Sequence, residues 1–214
     1  MRTSSQKVLH SGFLLALIAL LGTALLTGVN ALTHERIAEQ EKQRMMRQLN
    51  AIVPAGLYNN DLLEDRIEFH AKTWLRHPAP ITVYRARMGT RPVAVLMTVT
   101  APDGYNGDIR ILVGINNEGL LLGARILAHK ETPGLGDPIS LERSDWILGF
   151  SDESLQDTEA SAWNVKKDGG IFDQFTGATI SPRAVVKTVR DSLLFFEANQ
   201  DALFDRTSEK ARAK

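Results

Sequence analysis

The chain contains no cysteine. This excludes disulfides, thiolate zinc sites, cysteine-ligated iron–sulfur clusters, cysteine nucleophiles and haem held through Cys-x-x-Cys-His. It carries no information about compartment, because a secreted protein can lack disulfides. Net charge is absent as well, with 25 Lys+Arg against 25 Asp+Glu. Nucleic acid is therefore not expected as a partner, since gripping a phosphate backbone needs a basic surplus. Neither Gly-x-x-x-x-Gly-Lys-Ser/Thr nor a Gly-x-Gly-x-x-Gly after a strand is present, so the two common nucleotide loops are missing. At 214 residues, 43% hydrophobic and 23% charged, the chain suits one ordinary domain with an appendage. It is too polar for a multi-span membrane protein.

The charges are unevenly spread. Between Lys7 and Glu35 there is no Asp, Glu, Lys or Arg, and the run Gly12 to Val29 is almost wholly apolar. With its mild flanks it reaches roughly 20 residues, which at ~1.5 Å per residue crosses a ~30 Å hydrocarbon core. Arg2 and Lys7 precede it in a short tail, the layout of a signal peptide or an uncleaved anchor. The run exceeds a signal-peptide core, so an anchor is expected; a buried soluble helix is the alternative. Arg36, Lys42, Arg44 and Arg47 follow the span, and a bare Lys/Arg count does not orient it. Long following domains translocate largely regardless of charge, so the basic tail sets the N-terminus in the cytoplasm. The organisation expected is a cytoplasmic tail over 1–10, an anchor over 11–32, a stalk helix over 33–53, an extracytoplasmic domain over 54–205 and a flexible tail over 206–214.

The stalk is rich in helix formers, with Ile37, Met45, Leu49 and Ile52 near helical spacing and Pro54 and Gly56 to end it. Strands are predicted at 81–84, 92–99 and 109–115, then 120–128 after the turn Asn116-Asn117-Glu118-Gly119. Residues 140–150, with Trp146, suggest a short helix. Ser181-Pro182 marks a helix start, with Ser181 as N-cap and Pro182 first in the helix. Val186, Val189, Leu193 and Phe196 form that helix's core side. The fold class is α+β: a largely antiparallel sheet with flanking helices, preceded by one transmembrane helix and a stalk helix. Trp74, Trp146 and Trp163 could pack on a ligand ring, although core filling is the expected role of each.

Three glycine-bearing segments hold the chemistry. Asp173-Gln174-Phe175-Thr176-Gly177-Ala178-Thr179 is a tight turn feeding a helix N-terminus, where unpaired N–H groups and a partial positive charge suit a phosphate. An ordinary strand–turn–helix joint explains the same residues. His129-Lys130-Glu131-Thr132-Pro133-Gly134-Leu135-Gly136 lies at a strand end and has the polar density of a ligand-contacting loop. Its His129 and Glu131 are too few for a metal site. Gly104-Tyr105-Asn106-Gly107 is by itself only a turn.

In this order the segments resemble the covalent-FMN domain of membrane respiratory complexes: Gly-Tyr-x-Gly, His-x-Glu-Thr-Pro-Gly-Leu-Gly, then Asp-x-x-Thr-Gly-Ala-Thr about 45 residues later. Anchor, stalk and length resemble the G subunits of Rnf-type ion-translocating electron transport complexes. A related domain occurs in the C subunit of the sodium-translocating NADH:quinone reductase, which is generally longer. The resemblance implies FMN attached by a phosphoester to Thr179, with Thr176, Gly177 and Ala178 shaping the loop. Asp173 matches the leading acid that the attaching enzyme reads. It also implies that His129, Glu131, Thr132, Gly134 and Leu135 line the flavin, with Tyr105 nearby. Thr176 takes a place often held by Ser. The implied partners are the other membrane subunits and a flavin transferase; the implied role is an electron relay without a catalytic acid or base, at the cytoplasmic membrane with the domain outside. An anchored, unmodified scaffold module remains the non-redox alternative.

Overall fold

A computed structural model describes residues 2–205; the tail expected over 206–214 lies outside the described residues. The chain divides into two compact units, residues 1–45 and 46–214. The first unit is helix throughout its described part, the start of α1 (Arg2–Asn50). Its apolar side chains face no protein: Leu15 is 71% exposed and Leu26 73%. From Val8 onward this helix is long and apolar enough to cross a membrane. The expected anchor and stalk are thus one uninterrupted helix, because no Gly-Pro punctuation separates them before Pro54.

The second unit is built on a five-stranded antiparallel meander: β1 (Arg66–Phe69), β2 (Ile81–Met88), β3 (Arg91–Ala101), β4 (Ile109–Asn116) and β5 (Leu121–Ala128), in spatial order β1-β2-β3-β4-β5. Each predicted strand is present: β2 runs four residues past its predicted end, β3 and β4 slightly overrun theirs, and β5 starts one residue later than expected. The β4–β5 turn forms as read: Asn116 Oδ1 accepts from the N–H groups of Glu118 and Leu120, and Gly119 supplies the left-handed residue at φ +87°. The edge strand β1 and the four-residue helix α2 (Lys72–Leu75) had no sequence signal. Both are one turn or less of regular pattern, shorter than the period needed to see them.

Alternation along β3 and β4 sends Val95, Met97, Val99, Ile111 and Val113 to one face, where they join the main core with Val186, Val189, Leu193 and Phe196 of α3 (Ile180–Phe204). Leu96, Leu112 and Gly114 point to the other face and are also buried. Leu96 pairs with Gly114 across the strands, and Ile52, just past the end of α1, sits over that glycine. Leu49, Ile52, Val53 and Leu62 are buried on this side, so the end of α1 is part of the domain's core. Tyr58 donates to Asn50 Oδ1 at 2.6 Å and fastens the same turn. Burial, with Asp61 nearby, raises the Tyr58 pKa. Arg125 donates to the Ala51 carbonyl, a cation at a helix C-terminus, and burial lowers its pKa.

The far end of α3 is held by charge. Arg85 and Arg87 of β2 are buried and share Asp65, at 2.5 Å and 3.0 Å. Arg85 also donates to the Asp205 carbonyl and Arg87 to the Phe204 carbonyl, closing the helix C-terminus. The helix expected over 140–150 is corrected to a 3₁₀ segment, Asp145–Phe150, capped by Ser144. Phe150 turns inward there to stack with Trp163 and Phe172, and Trp146 packs edge-on against Phe150 and Phe175; that packing, not helical period, sets the backbone. Trp163 is fully buried and Trp74 is on the surface.

Gly114 tests the docking of the α1 end. An added Cβ would lie 2.4 Å from Ile52 Cγ2, on a β-branched side chain that cannot swing away. Gly114→Ala is expected to lower the unfolding free energy of the detergent-solubilised chain by about 1–3 kcal/mol. Denaturant titration measures it, and wild-type stability would remove Ile52 from that contact.

Candidate functional site

The three glycine-bearing segments meet at one cleft of about 150 Å³. Its walls are Tyr105 from the β3–β4 loop; Glu131, Thr132, Leu135 and Gly136 from the loop after β5; and Gly177, Ala178, Thr179, Ile180 and Ser181 at the start of α3. The wall is mainly apolar, and its large hydrophobic side chains are open to solvent: Tyr105 is 67% exposed, Leu135 48% and Ile180 44%.

The turn before α3 is shaped by Phe175 and Gly177. Phe175 packs edge-on against Trp146, and the Trp146 indole N–H donates to the Asp173 carbonyl at 2.8 Å. Ala178 N–H donates to the Phe175 carbonyl, closing a turn in which Gly177 takes a left-handed φ of +79°, a conformation glycine adopts without strain. Space above Gly177 is open, since an added Cβ would meet only Leu135 Cδ2, at 3.9 Å.

The helix start expected at Ser181 is corrected. The helix begins at Ile180, and the cap position belongs to Thr179, whose hydroxyl makes no capping bond. Ser181 is buried and donates from Oγ to Glu131 Oε2 at 2.5 Å. Pro182 falls third in the helix, where its missing N–H still costs nothing. Glu131, only 5% exposed, also accepts from the Asn106 N–H at 3.2 Å, and the Asn106 side chain donates to Thr132 Oγ1 at 3.0 Å. Gly136 packs so close that a Cβ there would lie 2.7 Å from both Glu131 Oε2 and Ser181 Oγ.

Of the residues marked in the sequence, Thr179, Gly177, Ala178, Glu131, Thr132, Leu135 and Tyr105 converge on the cleft. Four do not line it. His129 faces a separate open groove with His77, Thr98, Arg110 and Lys130; it lies past the end of β5 at Ala128, where the chain is no longer a strand and residues two apart need not share a side. His129 Nδ1 accepts from the Glu131 N–H. Gly134 supports the loop from outside, with φ +77° and its N–H donating to Asp137 Oδ1. Thr176 is exposed at the turn. Asp173 is exposed and pairs with Lys166 at 2.7 Å. Asn106, Gly136 and Ile180 carry no functional signal of their own in the sequence. Asn106 and Gly136 lie inside the quoted motifs, while Ile180 belongs to no pattern. Among the described residues no group of three His, Cys, Asp or Glu could hold a metal.

Arg183, in the first turn of α3, forms a forked pair with Asp168 at 2.6 and 2.9 Å. That hydrogen bonding holds the Asp168 carboxyl below its usual range and raises Arg183. A depressed folded pKa contributes stability above the unfolded value, and the contribution is lost as pH falls through the folded one. Asp168 is solvent-exposed, so water screens the pair. Asp168→Asn is expected to be slightly less stable than wild type at pH 7 and equal to it once pH drops below the ordinary carboxylate range. Melting curves at the two pH values measure this, and a gap that widens in acid would contradict it.

Residues 104–194 match the family model of the FMN-binding domain, and residues 1–52 match that of the RnfG N-terminal region. The chain is 47% identical to the G subunit of the ion-translocating oxidoreductase complex of Shewanella loihica, covering 94% of this chain and 95% of that protein. It is 45% identical to the G subunit from Pseudomonas aeruginosa, covering 92% of each. Against that of Pseudoalteromonas atlantica the identity is 42%, with 95% of each covered. With the long apolar helix, the domain and the cleft all inside these matches, the chain belongs to the family of ion-translocating oxidoreductase complex G subunits and carries its FMN-binding domain.

Proposed function

We propose that this chain is the membrane-anchored flavoprotein subunit of an ion-translocating electron transport complex, relaying electrons through FMN joined by a phosphoester to Thr179. The observation that carries the reading is the Thr179 hydroxyl, free of any capping bond on the wall of an apolar cleft. The residues present suit FMN. The open space over Gly177 admits a flat ring beside Leu135 and Tyr105, and Thr179 offers an oxygen where a helix begins. When bound, FMN supplies the redox chemistry; Thr179 holds it by its phosphate, and the apolar walls flank it.

Attachment joins Thr179 Oγ1 to the flavin phosphorus, with loss of the hydroxyl proton and of a leaving group from an activated flavin nucleotide. No histidine lines the cleft, and the buried carboxylate there, Glu131, is engaged by Ser181 and Asn106. A separate flavin transferase acting as the base is the simpler account. The exposed Asp173 is available for that enzyme to read. The other subunits of the complex deliver and remove the electrons. The basic tail holding Arg2 and Lys7 supports a cytoplasmic N-terminus, with the FMN domain on the extracytoplasmic side.

Two experiments test this. Coexpressed with a flavin transferase, denatured and run on a gel, the wild-type band is expected to fluoresce yellow-green, and Thr179→Val to be dark. Flavin that washes out of the wild type, or a fluorescent Val variant, would overturn the attachment; a colourless wild-type protein would favour the unmodified scaffold module. For orientation, a reporter enzyme active only outside the cytoplasm, fused after Lys214, is expected to be active. An inactive fusion would reverse the topology.

A further inference from the structure

The buried carboxylate of Glu131 lies where three separate segments meet. Its Oε2 accepts from Ser181 Oγ in the first turn of α3, 50 residues away in sequence. Its Oε1 accepts from the Asn106 N–H in the loop between β3 and β4. Its own loop closes around it through Gly136, which approaches both Glu131 and Ser181 too closely for any side chain. Gly104 is constrained chiefly by its own loop, where a Cβ would lie 2.2 Å from the Gly107 carbonyl oxygen, and it also comes within 3.0 Å of Glu131 Oε1. A carboxylate this buried is retained only when it is hydrogen-bonded, and here each oxygen accepts one bond, from one residue of each of the other two walls. Thr179 precedes Ser181 by two residues and makes no capping bond of its own. The segment bearing the reactive hydroxyl is thus tied to the opposite wall through Ser181 and Glu131.

Resting on the proposed attachment at Thr179, we infer that Glu131 is a positioning residue: by holding Ser181 it fixes the first turn of α3, and so presents Thr179 to the incoming flavin phosphate. The negative charge also sits at the N-terminus of α3, the place a phosphate group would otherwise favour. The helix end is therefore already neutralised, and what Glu131 contributes to flavin attachment is geometry. A glutamine can supply that geometry. Its oxygen can accept from Asn106, and its amide can donate to Ser181 Oγ.

The test uses full-length protein with limiting transferase and two readouts. One is the initial rate of covalent flavin incorporation, read by in-gel fluorescence. The other, independent of flavin, is amide hydrogen exchange over residues 180–186 in the unflavinylated chain. Glu131→Ala is expected to incorporate flavin about ten-fold more slowly, in line with loss of a charge-assisted hydrogen bond, and to exchange faster across that turn. Glu131→Gln is expected to stay within about two-fold of wild type on both. Ser181→Ala, which removes only the hydroxyl, is expected to follow Glu131→Ala, and it decides the matter if Glu131→Ala does not fold. Wild-type behaviour of Ser181→Ala, or a glutamine variant as impaired as the alanine one, overturns the inference. If wild-type protein carries no covalent flavin, the attachment at Thr179 fails, and hydrogen exchange still decides whether Glu131 fixes the turn.

Discussion

The constraint on which the domain depends is that its sheet is apolar on both faces at once. Consecutive residues Val95, Leu96 and Met97 of β3, and Ile111, Leu112 and Val113 of β4, are all buried. An antiparallel meander usually leaves one face to water; this one cannot, and each buried large side chain is worth about 1.5–3 kcal/mol that exposure would forfeit. The α3 helix covers one face. The other is covered by the end of α1 and the turn after it, through Leu49, Ile52, Val53 and Leu62. The same helix that begins as a membrane-spanning candidate therefore ends as core. Cutting the chain within residues 49–53 to free a soluble domain would uncover the second face.

Given that sheet, the position of α3 decides the site, and α3 is held at both ends by polar contacts of different kinds. At the C-terminal end two buried guanidinium groups share Asp65 and reach the last carbonyls. Removing one partner from such a group strands buried charge and costs about 3–5 kcal/mol, so this end is a rigid reference point. At the N-terminal end the Glu131–Ser181 bond ties the helix to the loops. Between them Val185, Val186, Val189 and Leu193 fix the rotation on the sheet. Thr179 thus sits at the end of an element whose length, rotation and both termini are determined, as a site of defined geometry requires.

How much of this the sequence disclosed follows from the range of each interaction. Strands β3 to β5, α3 and the apolar span of α1 carry a pattern over eight residues or more and were legible, whereas only Ile81–Tyr84 of β2 was, because the buried Arg85 and Arg87 break its apolar pattern. The motif residues Thr179, Gly177, Leu135 and Tyr105 were legible by their order along the chain, and folding brings them together. What could not be read was which side each loop residue takes. His129 and Glu131 are two apart and look like a pair, yet one faces an open groove and the other the cleft. The assignment of Ser181 as a cap failed for a related reason. Local rules see a serine before a proline, but the partner that claims its hydroxyl is 50 residues away. The aromatic cluster of Trp146, Phe150, Trp163 and Phe172 was equally invisible, since no local period joins its members.

The openness of the cleft gives the absence of cysteine its place. Sites that retain a ligand by contact alone bury most of its surface, whereas here the apolar wall is largely exposed at Tyr105, Leu135 and Ile180. A flavin held there would keep an accessible edge, which suits electron exchange with neighbouring subunits but weakens non-covalent retention. Closing the cleft would secure the cofactor and hinder the exchange. On the proposed reading a covalent tether resolves the conflict, because an attached ring meets its site at high effective concentration however shallow that site is. A thiol link is unavailable to this chain. A hydroxyl with no competing hydrogen bond, at the end of a fixed helix, meets the same need, and that is what sets Thr179 apart from Ser181, whose hydroxyl is already committed to Glu131.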